Sequence, residues 1–237
     1  MKIRIRFAKR GEMRFIGHLD IMRFFQKALR RAEIPVSYTQ GFHPHPIMSF
    51  ASPLGIGLTS EGEYLDIEVE ESGPSEAMCA LLNREMAGGM EILSWRRLPD
   101  DEKTNAMALV AAASYRAEVL GEARRQIESD ARELWIRRWE EFLDQPEIPL
   151  LKKTKKSESV VDIRPLIREA EYDGAVFRLL LSAGSVQNLK PETVLLPFFS
   201  GHGLAVPPEE LALCRLDMCA EQGGQLVSLE DLGEVIA

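Results

Sequence analysis

A chain of 237 residues, 45% apolar and 28% charged, is long enough to bury a sizeable core without disulfide or metal staples, which excludes the disordered and fibrous classes. No apolar run approaches the roughly 18 residues that cross a bilayer, and no signal-peptide core follows Met1, so no membrane association is expected. Three cysteines, Cys79, Cys214 and Cys219, form neither a metal-ligand nor a disulfide pattern, which points to the reducing cytoplasm.

The net charge of −8 hides an asymmetry: the first sixty residues hold ten Lys and Arg against three Asp and Glu, the remainder 19 against 34. A net of +7 therefore faces one of −15. Such a distribution predicts a localised basic surface that can hold phosphate on an otherwise acidic protein; a merely solvated basic helix is the alternative.

Taken in chain order, Ile3, Ile5 and Phe7 alternate with polar residues and predict a half-buried strand over 2–8. Between Gly17 and Pro35, Leu19, Met22, Phe25, Leu29 and Ala32 recur at helical spacing, with Arg23, Lys27, Arg30 and Arg31 on other faces. Residues 36–39 and 47–51 read as short extended pieces around a Gly/Pro-rich loop, and the alternation over 64–69 predicts a strand. A helix over 74–87, ended by Gly88 and Gly89, and a strand over 90–98 follow. Strand, helix, strand, strand, helix, strand is the split βαβ order. After a polar link at 99–106 the order recurs: strand at 112–120, helix at 122–143, strands at 158–164 and 175–182, helix at 190–199, strand at 211–219. The expected fold is α+β, two tandem ferredoxin-like halves over 1–100 and 107–237.

Thr39-Gln-Gly-Phe-His-Pro-His-Pro46 is the most unusual segment. Pro44 and Pro46 hold it extended, so His43 and His45 share a face and Phe42 offers a ring for stacking a base; a rigid turn is the competing reading. The loop is expected at the surface beside the helix start at Gly17, making one pocket with His18 and Arg14. His18, Asp20, His43 and His45 are the candidates for acid–base chemistry or metal ligation. His-x-His alone is a weak ligand signal, so no metal or other cofactor is expected. Arg10, Arg14, Arg23, Lys27, Arg30 and Arg31, with Phe42, His43 and His45, form the expected nucleic-acid-binding set. Pro53–Gly57, leading into Ser60–Glu63, has too few glycines for a phosphate loop and reads as a tight turn, Trp135 and Trp139 as core, and the basic run Lys152–Lys156 as a solvated loop or a further phosphate track.

The segments Arg14-Phe-Ile-Gly-His-Leu-Asp20, Ala28-Leu-Arg-Arg-Ala32, Thr39–Pro46, Ser49-Phe50, Pro53-Leu-Gly-Ile-Gly57 and Glu61-Gly-Glu-Tyr-Leu-Asp66 resemble the radical SAM-associated protein family of unknown function. Val161-Asp-Ile-Arg-Pro165 extends the likeness into the second half. The resemblance implies an accessory role to a radical SAM enzyme, with RNA as a plausible substrate, and supplies no catalytic residues. The chain lacks a Cys-x3-Cys-x2-Cys arrangement, so an iron–sulfur cluster of that type belongs to the partner. The leading expectation is a subunit that binds RNA and presents it to that enzyme. An RNA- or nucleotide-processing enzyme and a pure protein adaptor are the alternatives.

Overall fold

The computed structural model describes residues 1–100, 104–153 and 158–237. In chain order it contains β1 (Lys2–Lys9), α1 (His18–Arg31), β2 (Met48–Phe50), β3 (Thr59–Glu68), α2 (Ser75–Asn83), β4 (Met90–Arg97), α3 (Ala106–Leu109) and β5 (Val110–Val119). There follow α4 (Gly121–Ser129), α5 (Arg132–Leu143), β6 (Pro149–Lys153), β7 (Glu158–Asp162), β8 (Ile167–Tyr172) and β9 (Val176–Ser182). α6 (Pro191–Gly201), β10 (Leu211–Gln222), β11 (Gln225–Ser228) and β12 (Glu234–Val235) complete the chain. The architecture is α+β with mostly antiparallel strand pairing.

Two compact units divide the chain: Met1–Ala113 with Arg215–Ala237, and Ser114–Cys214. Residues 215–237 thus lie with the amino-terminal unit, whereas the expected division placed all of 107–237 together. Hydrogen bonds from Arg4 to the Leu229 carbonyl and from Ile236 N–H to Ser75 tie this tail down. They span more than 150 residues, so no local signal announces them.

In the first unit the strand order is β12-β4-β1-β3-β10, with β2 on β3 and β11 on β10. Ile3, Ile5 and Phe7 are buried as the alternation predicts, and meet Phe25 and Leu29 of α1 and Trp95 of β4 in one core. Between them Arg4 is buried too, because both oxygens of Asp66 accept its guanidinium at 2.8 Å. Glu63 and Arg215 form a second buried pair, which the Ser52 carbonyl completes. Unpaired, either charge would cost several kcal/mol.

The buried face of α1 differs from the expected one. The core face of α1 is Ile21, Phe25, Ala28 and Leu29, and Leu19 is 61% exposed. The turn expected over Pro53–Gly57 falls at Ile56 and Gly57, and Ser60–Glu63 beyond it lies inside β3. Gly62 is needed there because β10 passes close: a Cβ would stand 2.8 Å from Asp217 Cα and nearer still to the Leu216 carbonyl oxygen.

In the second unit the order is β10-β5-β9-β8, and β6 pairs with β7 alone. The single helix expected over 122–143 is two, parted where Asp130 turns extended (φ −83°, ψ 164°) and accepts the Trp135 indole N–H at 3.0 Å. Trp135 and Trp139 are buried against Phe198, as their spacing predicts. β6, β8, β11 and β12 have no counterpart in the sequence reading. Of the basic run, Thr154–Lys156 lies outside the described residues, as do positions 101–103 of the expected link.

Candidate nucleic-acid interface

The ten cations of the first sixty residues have unequal fates. Arg4 is consumed by Asp66, and Arg6 donates to Glu230 at 2.7 Å. Lys9 is buried with its ammonium on the Ile16 carbonyl at 2.9 Å, and that burial pushes its pKa below the ordinary value. Arg10 is gripped by Glu61 and Glu91, hydrogen bonds that raise its pKa further. Arg31 reaches Glu85 at 2.7 Å. Within the expected binding set, therefore, Arg10 and Arg31 already have carboxylate partners.

Lys2 is likewise engaged, and Arg14, Arg23, Lys27 and Arg30 remain. Arg23 stands 3.5 Å from Asp20, with both side chains 67% exposed, so that pair is weak and readily exchanged. Lys27 and Arg30 are exposed and, among the described residues, have no acidic partner. At 100° per residue, Arg23, Lys27 and Arg30 fall within about 60° of arc on α1, and a 1.5 Å rise spaces neighbours by about 4.5–6 Å along the axis. The helix turns this stripe outward because Ile21, Phe25, Ala28 and Leu29 occupy the core face. Arg14 lies just before the helix, its guanidinium carbon 4.7 Å from the centre of the Phe15 ring.

The histidines do not gather. His18 packs edge-on against Phe50, ring centres 5.1 Å apart. With Lys9, Phe50 and Glu63 it lines a cavity of about 20 Å³, room for one water and no substrate. Phe50 pairs with Leu65 at one end of β2, whereas the loop leaves the other end, where Ser37 and Ile47 bond to Glu68 and Tyr38 bridges Pro46. Five extended steps lead from His45 to Phe50, about 17 Å at 3.3 Å each. The expected single pocket of His18, Arg14 and the loop is therefore not formed: the strand register sets loop and helix start apart.

Within the loop, His45 Nδ1 lies 3.1 Å from the Thr39 hydroxyl and 3.3 Å from the His43 carbonyl. Among the described residues no hydrogen bond or ring contact joins the two imidazoles. Phe42 is fully exposed beside Gly41. The four side chains considered for acid–base work thus stand in two places. No three His, Cys, Asp or Glu side chains among the described residues are grouped as metal ligands. Elsewhere in this unit a cleft of about 280 Å³, lined by Lys2, Met48, Ser49, Asp66 and Glu68, approaches the size of small-molecule sites. Its Asp66 is already committed to Arg4 and to the Ala106 N–H.

The sequence reading missed Phe15 and Ile56, which are 53% and 67% exposed, and placed Leu19 in the core. Apolar type alone signals burial; only the neighbours show that these three are left uncovered.

The family model described as "Uncharacterized protein conserved in bacteria (DUF2344)" matches residues 2–191, and the chain belongs to that family. No curated protein matches it. No helix among the described residues is long and apolar enough to cross a membrane.

Proposed function

We propose that this member of the DUF2344 family is a binding subunit that holds RNA along the outer face of α1 and presents it to a radical SAM enzyme in the cytoplasm. The observation that carries the RNA reading is the stripe of Arg23, Lys27 and Arg30, exposed and lightly paired while Arg4, Arg6, Lys9, Arg10 and Arg31 are engaged. Evenly spaced free cations suit a phosphate backbone. Phe42 at its loop tip is a further contact for a base. The enzyme partner enters through the sequence resemblance alone, and Cys79, Cys214 and Cys219, which form no disulfide among the described residues, suit a reducing compartment.

The fold belongs to the same reading. The order β4-β1-β3 with β2 outside it, crossed by α1 and α2, supports a ferredoxin-like first unit. The order β10-β5-β9-β8, with α4, α5 and α6, supports a second one carrying the β6–β7 hairpin as an insertion.

The test is the salt dependence of RNA binding, read by fluorescence anisotropy with a labelled mixed-sequence 20-mer. Replacing Arg23, Lys27 and Arg30 together by Gln removes three phosphate contacts, so the slope of log K against log salt should fall by about 2. An unchanged slope and affinity would overturn the RNA reading.

A further inference from the structure

Resting on that RNA reading, we propose that the strand held on α1 is single-stranded, and that the stripe carries a base-stacking platform at its amino-terminal end, formed by Phe15 with Leu19 and Ile56.

Three large apolar side chains stay uncovered at this point: Phe15 at 53%, Leu19 at 61% and Ile56 at 67% exposure. They come from two segments that the fold brings together. The Gly57 N–H donates to the Arg14 carbonyl at 2.8 Å, and Ile56 Cδ1 lies 4.0 Å from where a Gly17 Cβ would stand. Gly57 adopts φ 92°, a left-handed conformation that side-chain-bearing residues rarely take, so its neighbour Ile56 is held beside the helix start.

The platform is continuous with the cations. On the helical wheel Leu19, Arg23, Lys27 and Arg30 fall within about 80° of one another, so Leu19 begins the row that the cations continue. Arg14 lies over the Phe15 ring at 4.7 Å, has no carboxylate partner among the described residues, and keeps its Nε buried and unpaired. Arg14 is thus available to a phosphate while it fixes the ring.

The chemistry of the two forms of RNA decides between them. A duplex turns its bases inward and offers phosphates and hydroxyls, which an exposed phenyl ring and two aliphatic side chains cannot use. A single strand turns bases outward, and these stack on aromatic rings and guanidinium planes while phosphates follow a row of cations. An apolar platform at the head of a cationic row matches the second partner.

The experiment compares a labelled 12-nucleotide single strand with the same sequence in a blunt duplex, using the full chain and three variants. The wild type should prefer the single strand by about tenfold or more, and Phe15→Ala should lose about tenfold for the single strand only. Phe15→Trp should retain binding, and the introduced indole should be quenched on saturation with single strand. Phe15 is exposed, so these substitutions leave the core intact. Equal binding of both RNAs by the wild type, with Phe15→Ala unchanged, would overturn this inference and leave the RNA reading standing. A salt slope lower by about 2 in Arg23→Gln/Lys27→Gln/Arg30→Gln, together with tenfold loss in Phe15→Ala, supports both. If neither RNA binds the wild type, both fall. If Phe15→Ala binds RNA normally but no longer associates with the partner enzyme, the patch is a protein interface and the inference falls.

Discussion

Replacing Gly62 by Ala should destabilise the first unit by far more than one methyl group suggests. The added Cβ would stand 2.8 Å from Asp217 Cα and 2.9 Å from the Leu216 carbonyl carbon. These are backbone atoms, so no side-chain rotation relieves the contact, and β3 and β10 must part by about half an ångström or more to reach ordinary van der Waals separation. Overpacking of this kind costs about 1–3 kcal/mol. The same displacement strains the Ser60 hydroxyl bond to the Arg215 carbonyl (2.9 Å) and the Arg6 bond to the Leu216 carbonyl (3.3 Å), each worth about 1 kcal/mol. It also pulls on the buried Glu63–Arg215 pair, whose Nε–Oε1 distance is 2.7 Å. The expected loss is about 3–5 kcal/mol. Urea unfolding monitored by circular dichroism measures it, with Gly88→Ala as the control, since a Cβ there meets nothing within 4 Å. A loss below about 1 kcal/mol for Gly62→Ala would refute the reasoning and show that β10 does not lie against β3 as described.

Two further outcomes follow from the second unit and from the loop. The Val176 N–H, the Arg178 guanidinium and the Ala175 N–H hold the Asp173 carboxyl down to about 2. Its folded pKa lies below the unfolded value of about 3.9, so its stabilisation is complete above that value and lost as pH falls through about 2. Asp173→Asn should therefore lower the urea midpoint at neutral pH and match the wild type near pH 2; a deficit that persists at pH 2 would contradict this. Replacing His43 and His45 together by Ala should change stability by less than about 1 kcal/mol, because both are exposed and the His45 bonds stay within the loop. Unfolding of that variant in chemical denaturation would make the loop a structural turn.

What the sequence determined by itself was periodic and local. The alternation of Ile3, Ile5 and Phe7 required a strand with one buried face, and the helical recurrence through Phe25 and Leu29 required α1 with its cations turned outward. The spacing of Trp135 and Trp139 put both in a core. These readings hold because burial of one face follows directly from a period of two or about 3.6 residues. Tertiary structure decided which cations are free: Arg10 meets Glu61 and Glu91, Arg31 meets Glu85, and Arg6 meets Glu230, partners 51, 81, 54 and 224 residues away. It also decided that Leu19 is uncovered, that Gly62 lies in a strand, and that His18 and the His43–His45 loop stand apart. Charge and apolarity belong to a residue type, but whether a charge is neutralised or a side chain covered depends on what the rest of the chain places beside it, and no local pattern carries that information.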